Sequence, residues 1–262
     1  MKLNLLTTII LPVFASCQSL DMQDGHQPAS QQYSTPAKVG HYEKVTDIPL
    51  PDGFARIKGT DSLFADWLGQ VHLKKDNRVF KYNGELKANQ SAQFAVLDIS
   101  VGNKDLQQCA DAVMRLRAEF LYSKQRFNEI RFSDNAGKIY TLHGAVGRKE
   151  FDQYLEQVFS YCGTLSLEKQ LHAQKNFHDI QPGDVLIKGG SPGHAVIVME
   201  VATNKEGKKI YLLAQSYMPA QDIHILKNLM NDSLSPWYEV CDDNCLIYTP
   251  EWTFSSKQLR RW

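Results

Sequence analysis

Three short apolar stretches, at 183–188, 194–202 and 209–216, constrain this chain more than any other feature. They are rich in Val, Ile, Leu and Ala. The connections between them are Gly189-Gly190-Ser191-Pro192-Gly193 and a polar turn centred on Asn204-Lys205-Glu206-Gly207. Apolar runs bounded by Gly and polar turns read as strands. Connections this short join antiparallel neighbours, because a parallel pair needs a crossover of a dozen or more residues. The earlier part of the chain carries helical periods instead. Apolar residues recur at 63, 64, 67, 68 and 71, and again through 105–122 and 149–160. A strand is expected at 94–101. Two weak strands, 128–132 and 138–142, flank Asp134-Asn135-Ala136-Gly137, and Tyr82-Asn83-Gly84 reads as a hairpin turn. Helices first and an antiparallel strand run afterwards predict an α+β fold, with a single domain over 41–262.

The N-terminus is read separately. Met1-Lys2 precedes an apolar run to Phe14, and Ala15-Ser16-Cys17 follows. A charged start, a short apolar core and small residues at the cleavage point describe a targeting signal. With Cys17 directly after the small residues, residues 1–16 look like a bacterial lipoprotein signal peptide, with Cys17 lipidated. Residues 17–40 are polar and Pro/Gly-containing, too poor in apolar groups to fold, so they are expected to be a flexible tether. The expected location is the cell envelope, with the lipid anchor as the one contact with membrane. An exported chain permits a lasting disulfide. Cys241 and Cys245, four apart in a turn-like segment, are the expected pair, which leaves Cys162 unpaired and buried.

The 29 basic and 29 acidic residues cancel. No excess of Lys and Arg is available to neutralise phosphates, which argues against nucleic acid as a partner. The histidines lack metal-ligand spacing, and no second Cys pair completes a zinc set. No phosphate loop occurs, since the 189–193 turn lacks the Lys-Ser/Thr ending. No metal and no cofactor are expected. Trp67, Trp237 and Trp252 are read as core residues in preference to a binding groove.

Reactive chemistry centres on two segments. Asp105 and Gln108 fit a capping box, which would start a helix at Asp105 and place Cys109 in its first turn. There the helix dipole would favour the thiolate. Cys109 also lies at the edge of the apolar stripe Leu106, Ala110, Val113, Leu116 and Phe120, where a thiol is an inert core residue; both readings stay open. Arg117 falls in that stripe and needs a partner, as in a buried structural ion pair. The second segment is Gly183-Asp184, an apolar strand, a loop, and Gly193-His194 opening the next strand. A hairpin centred on 204–207 sets His194 against residues 215–217. Gln215 is then the group that orients the imidazole. A one-residue register change would turn it to the other face and leave Ser216 instead.

These segments resemble the papain-like cysteine hydrolases of the CHAP and NlpC types. In those families a cysteine at a helix start comes first, a histidine follows on a sheet strand, and a third polar residue lies on the next strand. Gln108-Cys109 is similar to the CHAP-type Gln-Cys pair. The resemblance implies a papain-like core, with the Cys-bearing helix packed on the antiparallel sheet. It implies a thiol amidase or peptidase with Cys109 as nucleophile, His194 as base and Gln215 as orienting residue. The Cys109 N–H, with the amide of Gln107 or Gln108, would hold the oxyanion. The expected substrate is a peptide or cell-wall fragment. The alternative is a catalytically silent envelope binding protein of the same fold. The folded segment as a whole is similar to a family of uncharacterised bacterial lipoproteins classed as a domain of unknown function. That similarity rests on Ile48-Pro49-Leu50-Pro51, residues 106–121 and 183–198, and Leu212-Leu213-Ala214-Gln215-Ser216-Tyr217-Met218-Pro219-Ala220-Gln221. It implies no activity.

Overall fold

The computed structural model describes residues 41–242 and 244–262. In chain order the elements are β1 (Ala55–Ile57), α1 (Ser62–Gly69), β2 (Gln93–Val96), α2 (Cys109–Ser123), β3 (Arg131–Ser133) and β4 (Ile139–Thr141). Next come α3 (Arg148–Tyr161), α4 (Thr164–Gln170), β5 (His172–Ala173), β6 (Val185–Lys188), β7 (His194–Thr203) and β8 (Lys209–Gln215). The last are β9 (His224–Leu226), β10 (Tyr238–Glu239), β11 (Leu246–Tyr248), β12 (Thr253–Ser255) and β13 (Leu259–Arg261). The fold is mixed α+β. Nine strands form one antiparallel sheet, whose main path runs β2-β9-β8-β7-β6-β13-β5, with β1 added to β7 and β10 to β8. The strand expected at 94–101 is the shorter β2, at the sheet edge.

Both faces of the sheet are covered, and this is why β6 to β8 read as continuous apolar runs without clean alternation. Val185, Ile187, Ala195 and Ile197 face the core that contains α1 and α2. Leu186, Val196 and Val198 face a second core built around Phe177, Tyr211 and Phe254. Each fully buried Leu, Ile or Phe in these layers contributes roughly 2 kcal/mol of transfer free energy. Trp237 is fully buried and donates its indole N–H to the Pro49 carbonyl at 2.8 Å.

Two local features place the site. Helix α2 begins at Cys109, four residues later than the capping box at Asp105 suggests. The residue that closes the box is Asp111, whose Oδ2 accepts the Gln108 N–H at 3.0 Å. Asp105 is used elsewhere: its Oδ1 accepts the Ala220 N–H at 2.7 Å and so is not free to cap. The second feature is a bulge in β7. From Thr203↔Lys209 to Glu200↔Leu212 the β7–β8 hairpin keeps one register, and then Met199 is skipped so that Val198 pairs with Leu213. That extra residue decides the face. Without it Ser216 would share a face with His194; with it Gln215 does.

Candidate active site

The geometry around His194 starts from its backbone. Gly193 precedes it in a turn so tight that a Cβ there would lie 2.4 Å from the Gly190 carbonyl oxygen and 2.8 Å from that of Lys188. Only glycine fits, and the strand opens on the next residue. The His194 ring is 1% exposed. It stacks on Phe254 at 5.8 Å between ring centroids, with Trp252 at 5.4 Å and Tyr217 edge-on at 5.1 Å. This apolar wrapping pushes its pKa down to about 4, against a smaller upward pull from Gln215. Nε2 of the ring lies 2.8 Å from Oε1 of Gln215.

Gln215 is held from behind. Its amide nitrogen donates to Oε2 of Glu251 at 2.6 Å and lies 3.4 Å from Nε2 of His224. His224 sits directly opposite Gln215 on β9. Glu251 pairs with Lys87 at 2.7 Å, both largely buried. Ser216 takes no part: it is fully buried, and its hydroxyl reaches the Gln221 carbonyl at 2.8 Å and that of Gln107 at 3.0 Å. The Ser216–Gln107 contact ties the segment before α2 to the end of β8.

Cys109 is the first residue of α2, where backbone N–H groups have no intrahelical partner. The nearby backbone N–H groups of Ala110, Ala195 and Cys109 itself favour the thiolate. Burial and the neighbouring Asp111 outweigh them and push the thiol up to about 11. The dipole-stabilised thiolate expected at a helix start is therefore not the resting state. Cys109 and His194 line the same pocket, about 370 Å³ in volume, together with Asp111, Tyr217, Trp252 and the 190–193 turn. Cys109 and His194 share no hydrogen bond; the ring's side-chain partner is Gln215.

The other expected residues distribute as follows. Gln108 lines the pocket, but its amide nitrogen donates to Asp105 Oδ1 at 3.2 Å. Gln107 lines a different cavity with Arg115 and Arg148. Cys162 is a free, buried thiol on the wall of the Cys109 pocket, pushed up to about 12 by burial. Cys241 and Cys245 are joined in a disulfide, with Cα atoms 6.2 Å apart. Arg117 pairs with Asp61 at 2.9 Å and lies over the rings of Phe64, Phe120 and Trp262. Asp184 of the Gly-Asp pair is not at the site. Its carboxylate grips Arg261 through two bonds of 2.7 and 2.8 Å and clips β13 to β6. Cys17 lies outside the described residues. Among the described residues no cluster of three or more His, Cys, Asp or Glu side chains is placed to hold a metal. No described helix is long and apolar enough to cross a membrane.

Sequence reasoning missed Glu251, Lys87, His224 and Asp111. For His224 a signal existed: Ile223-His224-Ile225 alternate a short connection after β8, so a third antiparallel strand beside β8 was readable. Glu251 carries no such signal, because it sits in the turn between β11 and β12 and reaches Gln215 only through the tertiary fold.

In class, then, this is a mixed α+β protein built on a large antiparallel sheet, with four α-helices among the described residues. The chain belongs to the family described as Domain of unknown function (4846), whose model matches residues 45–143 and 141–261. No curated protein matches the chain, and neither does any solved structure.

Proposed function

We propose that the protein is an exported, lipid-anchored cysteine hydrolase with a papain-like core, cleaving amide bonds in peptides of the cell wall. The observation that carries this reading is the shared pocket. A cysteine at a helix start and a histidine at a strand start line it together, and the histidine is already held by a polar residue of the next strand. The Nε2 nitrogen is occupied by Gln215, so Nδ1 is the base. On substrate binding it closes on the thiol, as catalytic hydrogen bonds tighten in the Michaelis complex. It takes the thiol proton as sulfur adds to the amide carbon. The Cys109 N–H holds the oxyanion. Gln108 would join it by releasing Asp105. The imidazolium then protonates the departing amine, leaving a thioester on Cys109. Water, deprotonated by the same ring, releases the acid and restores the thiol.

The neutral resting pair is also what a silent binding protein would show, and the experiment separates the two readings. Purified full-length protein is incubated with isolated peptidoglycan sacculi, and new amino groups are counted by mass spectrometry. The hydrolase reading expects release by wild type and none by Cys109→Ala or His194→Ala. Equal release by Cys109→Ala, or none by wild type, refutes it. Cys17→Ser reports on the anchor in the same preparations: loss of lipid labelling and appearance in the soluble fraction are expected.

A further inference from the structure

We infer that Glu251 is a positioning residue of this site, whose carboxylate locks the side-chain amide of Gln215 and through it fixes which nitrogen of His194 carries the proton. A primary amide has one accepting and one donating end, and rotation exchanges them. Around Gln215 each partner dictates the choice. Glu251 is an acceptor, so the nitrogen 2.6 Å away must be the amide NH2. His224 Nδ1 lies 2.9 Å from the Asp222 carbonyl, an acceptor only, so Nδ1 bears that ring's proton. In the neutral ring His224 Nε2 is then a lone pair and takes the second amide hydrogen at 3.4 Å. Burial keeps His224 neutral, its pKa pushed down to about 3. With both hydrogens used, Oε1 faces His194 Nε2 at 2.8 Å, and that nitrogen must donate. A neutral imidazole has a single N–H, so the lone pair is left on Nδ1.

The Lys87–Glu251 pair has a role in this lock. Lys87 reaches both oxygens of Glu251, at 2.7 and 2.8 Å, and the two side chains are 7% and 13% exposed. A buried ion pair is weak evidence for stability, since apolar replacements of similar volume often serve the fold as well. Here the ammonium meets both carboxylate oxygens and balances their charge, so Glu251 faces the Gln215 amide with acceptors alone. An amide in place of that carboxylate could donate to a flipped Gln215, whose NH2 would then face His194 and move the proton to Nδ1.

The inference uses the reading of His194 as base only for its consequence; the tautomer is measured without turnover. Nitrogen-15 correlation spectra of the histidine rings are recorded at pH 7.5 on the full chain. The wild type is expected to show His194 as a single tautomer, protonated at Nε2. In Glu251→Gln either end of the new amide can face Gln215, and the two His194 nitrogen shifts are expected to move toward each other. The double variant Lys87→Met with Glu251→Met removes the carboxylate without stranding a buried ammonium, and the same convergence is expected. An even mixture of tautomers would slow Cys109 alkylation at that pH about twofold, in proportion to the competent fraction. A wild-type ring protonated at Nδ1 overturns the inference, as does a folded variant that keeps the single Nε2–H tautomer. A shift in tautomer with no amide cleavage by wild type would sink the hydrolase and leave this inference standing.

Discussion

Burial pushes the thiol of Cys109 up to about 11 and the imidazole of His194 down to about 4, so at neutral pH both rest uncharged. In the proposed mechanism proton transfer therefore belongs to the attack step and not to the resting protein. The same burial has a consequence for stability. A histidine whose folded pKa is depressed binds its proton in the unfolded chain first. Stability is complete above the unfolded value of about 6.5 and falls as the pH drops toward the folded values. His194 at about 4 and His224 at about 3 both act in this direction. Urea unfolding should show a fall on the order of 3 kcal/mol per ring between pH 6.5 and pH 4. The acid limb should flatten in His224→Phe; an unchanged limb would show that the ring is not held neutral. At this scale the sequence pointed to Cys109 and His194 because their order and residue types are local facts, and to Gln215 only with Ser216 as its alternative. It hid Asp111, Glu251 and Lys87 because their roles depend on which charges are buried together. Residue type does not encode that.

Elements position these residues through steric detail. Gly193 is required by the carbonyls of Gly190 and Lys188 and by Thr164 Oγ1, all within 3 Å of where a Cβ would stand. Gly193→Ala should destabilise the protein by roughly 1–3 kcal/mol, the usual cost of forced overpacking. A lower urea midpoint at constant slope would report it, and an unchanged midpoint would mean the turn can yield. The bulge at Met199 is the other such detail. The hairpin centre was legible, since Asn204-Lys205-Glu206-Gly207 forms the turn, with Gly207 at φ +81°. The bulge was not legible, because one skipped residue inside an apolar run leaves no mark in the pattern. It nonetheless settles Gln215 over Ser216. The start of α2 was misplaced for a related reason. Asp105 has the residue type of a cap, but a backbone N–H 115 residues away claims its carboxylate.

At the scale of the molecule, the α+β class followed from periodicity and turn spacing, and the extent of the sheet did not. Strands β5, β10 and β13 are two or three residues long, and only the completed sheet defines them. The turn between β11 and β12, the start of β7, the segment after β8 and the start of α2 meet at one pocket, with His194 and Cys109 in its wall. In the proposed mechanism His194 serves Cys109. The direct measurement is the rate of Cys109 alkylation by iodoacetamide on folded protein, from pH 6 upward, in wild type and His194→Ala. A positioned general base is worth about 10²–10⁴ in rate, so wild type should react faster by at least about tenfold near pH 7. The gap should close as the pH approaches the thiol's own value of about 11, where the thiolate forms without help. Equal rates in the two proteins across the whole range would contradict the claim and leave Cys109 a core thiol.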